Sequence, residues 1–230
     1  MKKINFPSEI TYLLSIIILS FSVAMLTAAD FGISMIVAPA YVLSQKIEFL
    51  SFGLAEYVVQ GVLFIVLCII IRKIKVTYLF AFLTCIIYGA VLDLWQMIIP
   101  TFNPSVTNPQ DLDLFVRIVF FIVGGILTSF SVALSFKTYL YPQVNDFIVK
   151  ALTTHFKISV TIVKYSVDFF FLSLSFILSF SMFGKLIGIG WGTIILFIVN
   201  AFLIGWFSKL LDKFFTFNPL IKPLEKHFKD

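Results

Sequence analysis

Charge is scarce in this chain. Asp, Glu, Lys and Arg make up 13% of its residues, against roughly 25% in soluble domains. A surface that faces water all round is therefore excluded. Histidine is nearly absent, with only His155 and His227, and so is cysteine, with only Cys68 and Cys85. That leaves no Cys/His cluster for a metal and no disulfide framework. No nucleophile with a partnered base and no phosphate-cradling glycine-rich loop is visible. The residues point away from an enzyme, and neither a cofactor nor a metal is expected. The period-2 alternation of a membrane β-barrel is missing as well. The formal charge of +5 does not gather on one soluble surface, so nucleic acid is not an expected partner.

What is present is apolar. Hydrophobic residues make up 60% of the chain, and 29 of its 230 positions are Phe. Six windows are long enough to cross a bilayer: Thr11–Ala29, Ser51–Ile71, Val76–Ile99, Val116–Phe136, Ser159–Met182 and Ile187–Leu210. The shortest, at about 1.5 Å per residue, reaches roughly 28 Å, close to the hydrocarbon thickness of about 30 Å. Lipid offers backbone amides no partner, so the spans must be helices. Cys68 and Cys85 fall inside spans and read as small apolar packing. The first 30 residues resemble a secretory signal, with Lys2, Lys3 and a small-residue stretch Thr27-Ala28-Ala29. The recurrence of the same segment at Val116–Phe136 argues that it is retained as the first span.

The basic residues lie between spans, which is how topology is written. With the amino terminus inside, 13 Lys and Arg fall on the inner side and 3 (Lys46, Arg117, Lys185) on the outer, with Lys164 inside a span. Both termini are thus expected to be cytoplasmic, in the cell membrane. Two apolar stretches, Ser34 to Lys46 and Pro142 to Thr154, are too short to span. Each is either re-entrant or interfacial; the second, with Gln143, Asn145, Asp146 and Lys150, is the wetter. Residues 101–115, rich in Pro, Asn and Asp, read as an outer linker. Residues 211–230 read as a basic cytoplasmic tail lying on the anionic inner leaflet.

An internal repeat orders these parts. Ser20-Phe21-Ser22-Val23-Ala24 recurs as Ser129-Phe130-Ser131-Val132-Ala133. With small register shifts Ser51, Tyr57 and Val59 align with Ser159, Tyr165 and Val167. Ala90, Leu92 and Trp95 align with Ala201, Leu203 and Trp206. Each half holds three crossings, an odd number, so the second half enters from the opposite side. The expected fold is an all-α membrane protein of six transmembrane helices in two inverted three-helix repeats, residues 1–100 and 116–210. Each repeat carries one short re-entrant or interfacial segment.

Ala29-Asp30-Phe31-Gly32-Ile33-Ser34 after the first span, Gly190-Trp191-Gly192-Thr193 at the sixth, and the two-half layout resemble a bacterial group of integral membrane proteins, the YczE/YitT-like family. The resemblance covers nearly the whole chain and implies fold and location more than activity. In that family the segment after the fourth span is Gly- and Pro-rich with an Arg-Asp pair. Here Pro142 and Asp146 match, but Asn145 stands where the Arg is expected. That leaves an anion-binding role of the Arg without its residue.

Polar groups inside spans cost about 2.5–3.5 kcal/mol when charged at a helix centre, so they mark sites. The second span carries Glu56 and Gln60, and the fifth carries Lys164 and Asp168. Each pair is spaced i, i+4 on one face, and the pairs match in the repeat. Glu56 and Lys164 lie roughly 7–8 Å inside their helix starts, on opposite sides. Gln60 and Asp168 lie roughly 13–14 Å in, near the midplane, and are expected to approach there, making the second and fifth spans neighbours. The plainer alternative is a self-satisfied Lys164–Asp168 pair with Gln60 as interhelical glue. Asn200 sits at mid-depth in the sixth span, as a substrate contact or an interhelical hydrogen bond. Asp93 lies close enough to the outer surface to be hydrated. The substrate-binding candidates are therefore Gln60, Lys164, Asp168, Glu56, Asn200 and Asp146.

Two function classes fit. One is a permease for a small molecule or ion, with its polar site at the repeat interface, where inverted-repeat transporters hold substrate. The other is a membrane accessory or assembly protein, or a substrate-binding subunit of a larger transporter, that moves nothing itself. The bilayer is the partner common to both, and a homo-oligomer or an accessory-subunit arrangement is compatible with either.

Overall fold

The computed structural model describes residues 3–71, 78–158 and 160–229. Its centre is a pair of helices, α1 (Ser8–Ala29) and α5 (Leu114–Ser135). They run antiparallel. The Ser131 hydroxyl donates to the Ser15 carbonyl at 2.6 Å, Ser22 meets Thr128 at 2.9 Å, and Arg117 Nε donates to the Ala29 carbonyl at 2.9 Å. The repeated pentapeptides lie along this seam. Their small residues are what allow it: a side chain on Gly124 would press on Leu26 and on the Ser22 carbonyl. Close backbone approach and hydroxyl bonds take the place of the hydrophobic drive that lipid cannot supply. Many of these hydroxyls bond to a carbonyl one turn back, as Ser20 does to Ile17 and Ser129 to Gly125.

The other long helices are α3 (Phe52–Ile71), α4 (Leu79–Ile98), α7 (Val160–Phe183) and α8 (Trp191–Phe214). All six are long and apolar enough to cross a membrane. α4 packs parallel to α1 and α8 parallel to α5. α3 packs antiparallel on α4, with Gly53 against the Gly89 carbonyl and the Tyr57 hydroxyl donating to the Ile86 carbonyl at 2.8 Å. Ser51 and Asp93 together cap α3. Leu54 N–H donates to Ser51, and Gly53 N–H to Asp93 Oδ1 at 2.7 Å.

The two short apolar stretches form α2 (Ala38–Lys46) and α6 (Val144–Phe156). Neither lies on the surface. Residues 38–42 are buried, and Met35 ahead of α2 joins one buried cluster with Leu63 and Leu67 of α3, Val144 and Phe147 of α6, and Val167 and Phe171 of α7. The second and fifth spans, expected to cross directly, are α3 and α7. α2 and α6 each pack against both of them, and α3, α6 and α7 share one buried cluster. Of the two expected placements, re-entrant or interfacial, burial of both short helices favours the interior.

The sixth span starts at Trp191, later than the apolar window suggested, because Gly184 and Gly188 turn the chain with positive φ before it. It runs on to Phe214, where a strand follows. β1 (Ile4–Pro7) and β2 (Phe215–Asn218) pair in parallel, Ile4 opposite Phe215. The tail therefore folds onto the protein. Its last helix, α9 (Lys222–Lys229), sets Phe228 against the rings of Phe80, Tyr139 and Tyr141. Glu9 accepts the N–H groups of Leu220 and Ile221, both at 2.9 Å, and the Tyr139 hydroxyl at 2.6 Å. The two ends of the chain thus lie on the same side of the bundle.

Candidate functional site

Glu56 and Gln60, one turn apart on α3, are almost wholly buried (1% and 0% exposed). Gln60 Nε2 donates to Glu56 Oε2 at 2.7 Å and to Gln143 Oε1 at 3.2 Å, and Gln60 Oε1 accepts from Val144 N–H at 3.2 Å. Val144 is the first residue of α6. Gln60 is the ninth residue of the 20-residue α3, so α6 begins roughly 12 Å inside the bundle measured along α3. The wetter short segment is therefore a half-length helix whose amino end meets the middle of a span. A helix start carries unpaired N–H groups and a partial positive charge. The Gln60 oxygen satisfies one of those donors, and Glu56 stands one turn behind it.

Three atoms around this junction have no hydrogen-bond partner among the described residues: Glu56 Oε1, Gln143 Nε2 and Asn145 Oδ1. Leaving such groups buried and unmet costs about 1–3 kcal/mol each. The Cys85 thiol of α4 points at the Glu56 main-chain oxygen, 3.7 Å away. The Tyr88 hydroxyl, one turn further along α4, is buried and has no partner among the described residues.

The structure sorts the remaining residues singled out in the sequence. Asp168 is buried on α7, which packs against α6. The described hydrogen bonds of Gln60 go to α3 and α6. Lys164 belongs to α7, and its side chain lies outside the described residues. Asn200 of α8 accepts a hydrogen bond from Ser129 of α5, the plain interhelical role. Asp146, in the first turn of α6, lines a small cavity with Tyr12, Ser15 and Gln143. Asp93 is a helix cap for α3 and borders an open cleft of about 690 Å³ with Glu48 and Gln96. Gln143 and Asn145 were visible in the sequence only as polar residues of a short segment. The reach of Gln143 to Gln60 depends on that segment entering the bundle.

The two family-like motifs meet each other. The Phe31 carbonyl accepts Gly192 N–H at 2.7 Å, and Ile33 N–H donates to the Gly188 carbonyl at 2.9 Å. Gly32 has φ +105, and a side chain there would strike Thr193. Arg117 closes the joint. It lies 3.4 Å from Asp30, 3.1 Å from Gln110 Oε1 and 4.8 Å above the Phe31 ring. These residues fasten the end of α1 to the starts of α5 and α8. Outside the spans, burial raises the Tyr139 phenol above its ordinary range, helped by its bond to Glu9. Burial, then Asp30, raises that of Tyr41.

No curated protein and no solved structure matches the chain. Residues 6–209 match one family model, a stretch that takes in the α1–α5 seam, both half-length helices and the Gln60 junction. The chain belongs to DUF6198, a family of unknown function.

Proposed function

We propose that the protein is a permease for a small solute or ion, built from two inverted halves. The binding site would be formed by Glu56, Gln60 and Gln143 where α6 meets α3. The observation that carries this reading is the start of α6 at mid-length of α3, beside polar atoms with no partner among the described residues. Irregular backbone and interrupted helices occur at membrane depth only where they are buried in protein or line a cavity, and such helix ends hold substrate or coupling ions in transporters. Inversion is supported by the antiparallel run of α1 and α5. It is supported again by the register that matches Ser20 with Ser129. The same register matches Ser8 with Arg117 and Asp30 with Tyr139, and both cross-pairs touch: Arg117 with Asp30, and Tyr139 N–H with Ser8 Oγ, each at 3.4 Å. The YczE/YitT-like resemblance belongs to this reading, since its motifs form one joint between the halves.

The proposed setting is the cell membrane with both termini cytoplasmic. The β1–β2 pair supports a shared side, and the excess of Lys supports the inside. Cysteines at Asn108 and Lys222, in a protein lacking Cys68 and Cys85, should react from opposite sides with an impermeant thiol reagent. Equal labelling of both in intact cells sinks the topology.

The test of function is uptake into proteoliposomes of purified protein, screened over amino acids, vitamins and inorganic ions. Uptake that falls to background in Gln60→Leu, in a variant that still elutes as a single species in detergent, is the expected result. Uptake unchanged by that substitution removes the site. The second reading, an accessory or assembly subunit, is favoured by the tightness of the junction, where the hydrogen bonds already knit α3 to α6. It predicts no uptake of any solute, together with recovery of a membrane partner on purification from the native membrane.

A further inference from the structure

The side of the bundle that holds both chain ends also holds an entrance to the Gln60 junction. α5 ends there at Ser135, beside the start of α1, where Tyr139 N–H reaches the Ser8 hydroxyl at 3.4 Å. From that side residues 136–143 climb to Val144, whose N–H meets Gln60 at mid-length of α3.

Rings line this entrance. Phe228 of α9 stands 4.7 Å from Phe80 of α4, 5.2 Å from Tyr141 and 6.0 Å from Tyr139, centroid to centroid. Tyr141 in turn stands 4.9 Å from Phe147, in the first turn of α6, and Tyr78 meets Phe147 at 4.9 Å. These separations lie in the favourable range for aromatic pairs. The stack therefore runs from the last helix of the chain to the helix that starts at Gln60. Tyr141 is two residues before Gln143, and its carbonyl accepts from Thr84 at 3.0 Å. Phe228 is buried, while Lys222 and Lys226 of the same helix are exposed.

The tail keeps its place by few contacts. An eight-residue helix is too short to persist alone, and a lone pair of strands is marginal. Order in α9 and β2 thus depends on docking. Two places supply it. One is the Glu9 carboxylate, which accepts from Leu220 N–H, Ile221 N–H and the Tyr139 hydroxyl. The other is the set of rings around Phe228. Losing either frees the segment as a unit, as locally unfolding elements do.

We infer that residues 215–229 form a strap over this entrance, docked in this structure and released to open the way to the Gln60 junction. The change is an order–disorder switch of one short segment. As a cover the strap does not depend on the permease reading. As a gate in a transport cycle it rests on that reading.

The test is the labelling rate of a cysteine at Asn145, which is buried at the start of α6. The full-length protein, lacking Cys68 and Cys85, is held in lipid nanodiscs, and the probe is a small charged methanethiosulfonate. Labelling should be slow in the docked state and about tenfold faster in Phe228→Ala, because a buried group reacts through its open population. Glu9→Gln keeps the side chain's size but turns one acceptor into a donor, and should label about threefold faster. Lys226→Ala, on the exposed face of α9, should leave the rate unchanged. Hydrogen exchange over residues 144–149, in proteins without the added cysteine, should rank the variants in the same order, with α1 and α5 unaffected. Should Asn145→Cys or Phe228→Ala fail to fold, exchange in Glu9→Gln carries the test. Unchanged labelling in both Phe228→Ala and Glu9→Gln overturns the proposal. So does exchange that rises in α1 and α5 as much as in residues 144–149, which would make the tail a general brace. Strap-dependent labelling without uptake of any solute leaves the strap standing and sinks the permease reading alone. Uptake of a solute with labelling indifferent to the strap does the reverse.

Discussion

In the first half of the molecule, α3 and α4 lock together. In the second half, no such backbone joint between their counterparts α7 and α8 occurs among the described residues. Gly53 and Gly89 let the α3 and α4 backbones touch, and Asp93 reaches across to cap α3. By the repeat, position 53 corresponds to Thr161, 89 to Asn200 and 93 to Ile204. None of these can reproduce the joint. Two glycines are replaced by larger residues, and the capping carboxylate is replaced by an alkyl group. Among the described residues α7 packs chiefly on α2 and α6, and α8 on α5; the Tyr165 and Phe197 rings meet at 5.3 Å. One half is thus built as a rigid pair of spans. The other hangs one span on the two half-length helices that border the polar site. In a rocking mechanism, α7 is the span able to follow α6 without breaking a close backbone contact.

The largest effect should come from breaking the lock. Gly53→Leu drives a side chain into the Gly89 carbonyl and Asp93 and should cost about 3 kcal/mol or abolish folding. Gly205→Leu on α8, where a side chain meets open space, should leave the midpoint of unfolding within about 0.5 kcal/mol of wild type. Equal losses from the two substitutions would erase the contrast between the halves. Next, Gln60→Leu leaves Gln143 and the first N–H of α6 without their partners and should cost about 1–3 kcal/mol, measured by denaturant unfolding in mixed micelles. Asp93→Ala removes only the cap and should cost about 1 kcal/mol. Its hydrogen-exchange signature would be faster exchange at Gly53 with α7 unaffected.

The smallest change is expected at the terminal clasp. Tyr139→Phe loses one hydrogen bond to Glu9 and should cost at most about 1 kcal/mol. Because the phenol is raised from its ordinary 10.0, its contribution is complete below about pH 10 and fades only above that. A wild-type clasp that loosens between pH 7 and 9, followed by tail proteolysis, would contradict that sign.

Hydropathy and charge spacing alone determine six spans, their helical form and the excess of Lys on one side, because lipid penalises unpaired backbone and buried charge wherever they fall in three dimensions. The twice-occurring pentapeptide was legible too, and both copies, Ser20–Ala24 and Ser129–Ala133, lie along the α1–α5 seam. Only tertiary structure decides where the short apolar stretches go. Their composition suits the interface as well as the interior, and it is burial against α3 and α7 that places them inside. For the same reason Gln143 and Asn145 could not be ranked above other polar loop residues, while Glu56 and Gln60, fixed within a span, could. The pairing of Glu56 with Gln60 is local to one helix and follows from i, i+4 spacing. The meeting of Gln60 with the start of α6 joins residues 83 apart in the chain, and no periodicity encodes it.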